Sequence, residues 1–277
     1  MKKTIFALAI ACGVFLTTTA QNNKIKWAIN TGVSVPMGSF SHMQYDANTG
    51  ITDCGLFDKN DNGGATTGFN IGAKMLFPTK SERLSILMSF DIHYNGVNSN
   101  VNSFLSLFCN QLATMWGEGL GTGEILLSST CNLDKHPYYL NIPLMIGLSY
   151  NYPISNEMKF FGEFGAGLNV RYISTWELVG IQKYIFANGS EDTWMQVKES
   201  ISYETAKTLA FKIGVGMYFT ENLYFSVFYS LLGKGDVATN IEETWSAEYV
   251  QPNTYNQYLQ LGSVSPSILS FNIGYTF

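Results

Sequence analysis

The stretch Leu269 to Phe277 constrains this chain more than any other. Its odd positions, Leu269, Phe271, Ile273, Tyr275 and Phe277, are large and apolar, while Ser270, Asn272, Gly274 and Thr276 between them are small or polar. A strict period of two describes a β-strand with one apolar face and one wet face. In a soluble sandwich the apolar face would turn to a core. Here the pattern recurs along the chain at membrane-strand length and ends on an aromatic residue, so the stretch reads as the closing strand of a transmembrane β-barrel.

Seven earlier segments repeat it. They are Lys26 to Val35, Thr67 to Phe77, Leu84 to Tyr94, Tyr138 to Tyr152, Phe160 to Tyr172, Leu209 to Phe219 and Leu223 to Leu231. The third alternates Leu84, Ile86, Met88, Phe90, Ile92 and Tyr94 with Ser85, Leu87, Ser89, Asp91 and His93. The seventh alternates Leu223, Phe225, Val227, Tyr229 and Leu231 with Tyr224, Ser226, Phe228 and Ser230. The fold expected is an eight-stranded antiparallel up-and-down transmembrane β-barrel.

Connection lengths set the topology. Pro78 to Arg83, Pro153 to Lys159 and Thr220 to Asn222 are short, whereas Met37 to Thr66, Asn95 to Pro137, Ile173 to Thr208 and Leu232 to Ile268 are long. Short periplasmic turns and four long extracellular loops are the two ends of an outer-membrane barrel, and an even strand number puts both termini in the periplasm. Aromatic girdles fall accordingly: Trp27, Phe77, Tyr150, Tyr152, Phe160, Phe219, Phe225, Tyr275 and Phe277 near the turns, and Tyr94, Tyr138, Tyr172, Phe211 and Tyr229 near the loops. A periplasmic sandwich would show less uniform strand lengths and fewer interface aromatics.

Residues 1–20 read as a secretory signal peptide, with Lys2 and Lys3, an apolar run from Ile5 to Leu16 and Thr17-Thr18-Thr19-Ala20 before Gln21. Residues 21–277 then form one barrel domain. Cys12 after Ala-Ile-Ala faintly echoes a lipoprotein site, but the apolar run continues past it. Charged residues are 13% of the chain, about half the roughly 25% of soluble domains, and aromatics are 14%. A surface that meets lipid is expected to look like this. The net charge of −5, more negative once the leader lysines are gone, argues against nucleic-acid partners.

Several of these strands carry a family resemblance. Tyr139-Leu-Asn-Ile-Pro-Leu-Met-Ile-Gly-Leu-Ser-Tyr150, Phe161-Gly-Glu-Phe-Gly-Ala-Gly-Leu168, Lys212-Ile-Gly-Val-Gly-Met-Tyr218 and Leu223-Tyr-Phe-Ser-Val-Phe-Tyr-Ser-Leu-Leu-Gly233 resemble the outer-membrane β-barrel domain family of PorT-like and OmpA-like small barrels. The resemblance implies architecture more than activity. PorT-like members are associated with protein secretion, others with membrane integrity or surface contacts.

An eight-strand barrel is about wide enough for side chains to fill, which argues against a general diffusion pore. Charges enclosed in so narrow a lumen need partners. Strand direction places Lys74 and Glu163 near one end, Asp91, His93 and Arg171 near the other, and Lys212 between. Two ion-pair layers are expected, Lys74 with Glu163 and Asp91 with Arg171. His93 reads as a satisfied interior histidine.

The loops are where specificity would sit. Ser103 to Gly117, with Phe104, Phe108, Leu112 and Met115 on one stripe, predicts a short amphipathic helix on the barrel mouth. The loop with Trp176, Tyr184, Phe186, Trp194 and Tyr203 is expected to extend two strands as a hairpin whose edge could recruit another protein. Cys54, Cys109 and Cys131 lie in long loops; Cys109 with Cys131 is the favoured disulfide, the connectivity staying open. Asp58-Lys-Asn-Asp-Asn-Gly-Gly64 matches the opening of a calcium loop, but Phe69 stands where the bidentate acid belongs, so no metal or cofactor is expected. No nucleophile motif accompanies His42 or His136, which points away from an enzyme. The functions expected are a non-enzymatic, porin-like-family surface barrel with a loop-binding or envelope-structural role, an accessory subunit of a secretion or assembly machine, and, more weakly, a lipid-modifying enzyme. The partners expected are outer-membrane lipid and lipopolysaccharide, with an envelope protein at the loops.

Overall fold

A computed structural model describes residues 25–40, 64–97, 126–135, 137–155, 158–185, 191–247 and 250–277. In chain order its strands are β1 (Lys26–Met37), β2 (Gly68–Pro78), β3 (Leu84–Gly96), β4 (Leu126–Lys135), β5 (Tyr138–Pro153), β6 (Lys159–Ile173) and β7 (Trp176–Ile185). There follow β8 (Glu191–Tyr203), β9 (Ala206–Tyr218), β10 (Leu223–Leu231), β11 (Gly235–Ala247), β12 (Val250–Val264) and β13 (Ser267–Thr276).

Eight strands close into an antiparallel barrel in the order β1-β13-β10-β9-β6-β5-β3-β2. Closure runs through β1, where Thr31 stands opposite Ile273 on one side and Ile71 on the other. A closed sheet leaves no backbone edge unpaired, the condition a β structure must meet in hydrocarbon. The eight barrel strands are those the alternation predicts, most of them reaching a residue or more beyond the predicted bounds.

Polarity is reversed relative to a soluble barrel. Ile29, Phe69, Ile71, Leu144, Phe164, Leu168, Leu209, Ile213, Val215 and Ile273 are exposed on the outer wall, while Asn30, Asn70, Lys74, Asp91, His93, Asn141, Glu163, Asn169, Arg171, Lys212 and Asn272 are buried within. Around one rim the rings of Phe69 and Tyr94 stack at 5.1 Å, Tyr94 reaches Tyr138 at 5.0 Å and Tyr138 reaches Tyr172 at 6.2 Å. At the other end Tyr275 packs on Phe277 at 5.1 Å. These are the girdles and apolar band of a bilayer-spanning barrel.

Short turns close the end that carries Lys26 and Phe277. Thr79 Oγ1 accepts from Ser81 N at 3.1 Å, Ile154 N donates to Met158 O at 3.0 Å, and Phe219 N donates to Leu223 O at 2.9 Å. Phe277 N donates to Trp27 O at 2.7 Å, tying the C-terminus to β1.

At the opposite end the long connections contain strands where loops were expected. β12, β11, β8, β7 and β4 form a second sheet in that order. The order repeats that of the barrel strands they join, β13, β10, β9, β6 and β5. Five of the eight barrel strands therefore continue beyond the rim as one wall. The hairpin expected between β6 and β9 is present as β7 and β8, whereas β4, β11 and β12 stand where the alternation predicts only loop. Cys131 falls in β4 opposite Gly180. The predicted leader, the calcium-like turn, the 103–117 helix, Cys54 and Cys109 lie outside the described residues, and with Cys109 lies the expected disulfide.

Candidate functional site

The lumen holds the buried charged side chains among the described residues, and it is built from small neighbours. Lys74 on β2 stands between Ala28 and Ser89 on the adjoining strands. Glu163 on β6 stands between Ser149 and Gly214, and Lys212 on β9 between Gly165 and Ser230. Short flanking side chains leave each long one free to reach across the barrel.

Lys74 Nζ meets Glu163 Oε1 at 2.5 Å, and Lys212 Nζ meets Asp91 Oδ2 at 2.7 Å. The second pairing corrects the expected one: Asp91 pairs with Lys212, not with Arg171. Arg171 instead donates from Nη2 to Gly235 O at 3.1 Å, holding the start of β11 over the rim. The link between β10 and β11 turns at Gly233, whose φ of 74° is a conformation that suits glycine. Asn169 Nδ2 donates to Leu232 O in the same link at 3.4 Å, and Thr208 Oγ1 also bonds that oxygen.

Toward the short turns the lumen is filled by rings. Phe161 packs on Tyr218 at 5.2 Å and on Tyr224 at 5.5 Å, and Tyr218 and Tyr224 lie 5.2 Å apart. Phe161, Tyr224 and Phe228 each face a glycine directly across the ladder, Gly216, Gly274 and Gly214 respectively. Lys74 Nζ sits 4.5 Å from the Tyr224 centroid and 4.6 Å from that of Phe161, and Lys212 Nζ 4.3 Å from that of Phe228. Each ammonium thus has one carboxylate and at least one aromatic face, which together offset its desolvation.

Toward the other rim the lumen is amide-rich. Asn70 Nδ2 donates to Asn272 Oδ1 at 2.7 Å, Asn169 Nδ2 to Asn141 Oδ1 at 3.2 Å, and Asn95 Nδ2 to Ser34 O at 3.0 Å. Above them Phe40, fully buried in the short helix Gly38–Phe40, packs edge-on against Tyr139 at 5.1 Å. His93 Nδ1 lies 3.5 Å from Ser34 Oγ, which bonds Asn95 Oδ1 at 3.2 Å. Both residues are buried, so the Ser–His contact is part of the packed interior among the described residues. His93 Nε2, Asn30 Oδ1, Ser226 Oγ and Ser230 Oγ find no partner among the described residues; buried groups of this kind are commonly satisfied by internal water.

The second sheet has two unlike faces. Met195, Val197, Ile201 and Tyr203 on β8 are buried, whereas Gln196 and Lys198 between them are exposed. On the polar face Glu177 of β7 bonds Lys135 of β4 and approaches Lys198 of β8 at 3.8 Å, joining three strands. The Lys135 hydrogen bond holds the Glu177 carboxyl below its ordinary range and raises Lys135 in turn. Lys183 and Glu191 pair at 2.9 Å at the tip.

A polar bowl of about 530 Å³ opens at the short-turn end, edged by Lys26, Arg83, Lys159, Glu82 and Glu221 and floored by Tyr218 and Thr276. The Tyr218 hydroxyl, 3.3 Å from Thr276 Oγ1, is the boundary between bowl and ring plug.

Alternation puts most of the amides and the rings on the inner face; what it does not give is which amides bond each other and which rings sit against glycines. Tyr218, Tyr224 and Phe228 already lay on the inner face by alternation, and their spacing against glycines was the available signal.

Neither protein-family models nor curated protein sequences match the chain. Among solved structures it is similar to the Yersinia pestis attachment invasion locus protein Ail, at 11% identity over 92% of this chain and 100% of that one, TM-score 0.35. It is also similar to the Pseudomonas aeruginosa outer membrane protein OprG, at 13% identity over 91% and 95% of the two chains, TM-score 0.37. A major outer membrane protein of Thermus thermophilus aligns at 10% identity over 92% and 100%, TM-score 0.37. The fold rests on the strand ladders rather than on these likenesses.

Proposed function

We propose that this chain is a non-enzymatic integral barrel of a bacterial outer membrane that presents the five-stranded sheet to the exterior as a partner-binding surface. The observation that carries the reading is the combination of an apolar outer wall, a lumen filled by ion pairs and rings, and a sheet built on five barrel strands. A filled lumen supports no general solute path, so the barrel serves as a mount and the sheet as the working surface. In this reading the short turns and both termini are periplasmic, and the outer wall contacts phospholipid and lipopolysaccharide.

A second reading is an accessory subunit of a secretion or assembly machine in the same membrane, the role that a PorT-like relationship would imply. The two open edges of the sheet, β4 and β12 among the described residues, favour it as sites for strand addition. Affinity purification of the tagged protein from mildly solubilised outer membranes, followed by mass spectrometry, tests both. A stoichiometric set of envelope proteins supports the subunit. A heat-modifiable barrel that elutes alone supports the independent surface protein, and recovery in the soluble fraction would defeat both.

A further inference from the structure

The outer wall is not uniformly covered. Most lipid-facing positions carry Ile, Leu, Val, Phe or Tyr, but Thr31 on β1 and Ala73 on β2 are small. They are diagonal neighbours, since Thr31 stands opposite Ile71 and Ile29 opposite Ala73. A groove of about 510 Å³ opens over them, with Phe90, Ile92, Ile273 and Tyr275 among its walls. Thr31 Oγ1 donates to Asn70 O at 2.9 Å, so its hydroxyl is spent on the backbone and does not make the groove polar.

From this geometry we infer that the groove is a seat for a single acyl chain of a membrane lipid. The inference rests on the membrane reading above. The volume falls within the roughly 300–1,000 Å³ of small-ligand sites. A protein partner would require a far wider footprint, about 20–30 residues a side in a standard interface. Aliphatic and aromatic walls around two small residues suit a flexible hydrocarbon, which gains dispersion contacts at every methylene. The groove lies within the apolar band, so hydrocarbon is what surrounds it.

The test uses the full chain, folded into vesicles of dipalmitoyl phosphatidylethanolamine, extracted in mild detergent and weighed intact by native mass spectrometry. Ala73→Phe fills the groove; Ala166→Phe, on β6 and also between outward apolar residues, is the control. Wild type and the control are expected to hold one lipid, and Ala73→Phe to hold it at least roughly tenfold less, the change that loss of about 1.4 kcal/mol produces. Equal retention by all three, or by none, would overturn the seat. A dimer of wild type that Ala73→Phe abolishes would assign the groove to a second copy instead. Flotation of the wild type with the vesicles, measured first, separates failure of this inference from failure of the membrane reading.

Discussion

Gly274 and Tyr224 stand directly opposite each other on β13 and β10, and a Cβ on the glycine would lie 2.1 Å from the ring's Cζ. The ring cannot retreat, because Phe161 and Tyr218 hold it from within the lumen. Gly274→Ala is therefore expected to lower the denaturant midpoint by the equivalent of about 1–3 kcal/mol, the usual cost of overpacking. Gly162, whose added Cβ would meet nothing within 4 Å, is the matched control, and Gly162→Ala should stay within about 0.5 kcal/mol of wild type.

Lys74 and Glu163 depend on each other. Removing one partner leaves a buried charge, so Lys74→Met or Glu163→Leu alone is expected to cost about 3–5 kcal/mol, while the double substitution recovers most of that loss. A double-mutant cycle of unfolding in detergent measures it. Additive losses would show that the pair is not coupled.

Asp91 should respond to Lys212 and not to Arg171. Substituting Asp91 and Lys212 together is expected to show coupling in the same kind of cycle, and Asp91 with Arg171 to show little. Arg171→Ala should instead loosen the β10–β11 link, read as faster amide exchange around Gly235.

Glu177 gives the second sheet a pH dependence. Its carboxyl is lowered below the ordinary 4.5, first by the Lys135 hydrogen bond. A carboxyl whose folded value is depressed contributes its stabilisation fully above its unfolded value and loses it as pH falls through the folded one. The β4–β7 ladder should therefore exchange its amides faster, relative to intrinsic rates, at about pH 3 than at about pH 7, and Glu177→Gln should flatten the difference. An unchanged pH response in the variant would remove Glu177 as the group responsible. The pair is open to solvent screening, so the effect should shrink with salt.

Much of this molecule was legible because lipid and lumen impose opposite demands on alternate residues. That is why Leu84 to Tyr94 and Leu269 to Phe277 could be placed as strands with their faces assigned. Pairing across the lumen was less legible. Asp91 and Arg171 share a level by strand direction, but which side chain meets which depends on bearing around the barrel. Lys212 on β9 reaches Asp91 across the interior. The second sheet was the least legible part. β12, reading Val-Gln-Pro-Asn-Thr-Tyr-Asn-Gln-Tyr-Leu-Gln-Leu-Gly-Ser-Val, has no sustained apolar alternation because a sheet beyond the bilayer need not be apolar on one face. β11 carried a broken signal in Val237, Ile241 and Trp245, interrupted by Thr239 and Glu243.

The same five strands that build the upper sheet also break the barrel's circular symmetry. A mouth with rims of equal height would receive a visitor at any bearing. Among the described residues, β1, β2 and β3 have no counterpart in the sheet, while the remaining five continue into it. The sheet therefore rises on one side of the mouth, over β13, β10, β9, β6 and β5. Anything that docks against the sheet is held at one compass heading relative to the barrel beneath it, and its distance from the bilayer is set by how far along the wall it binds.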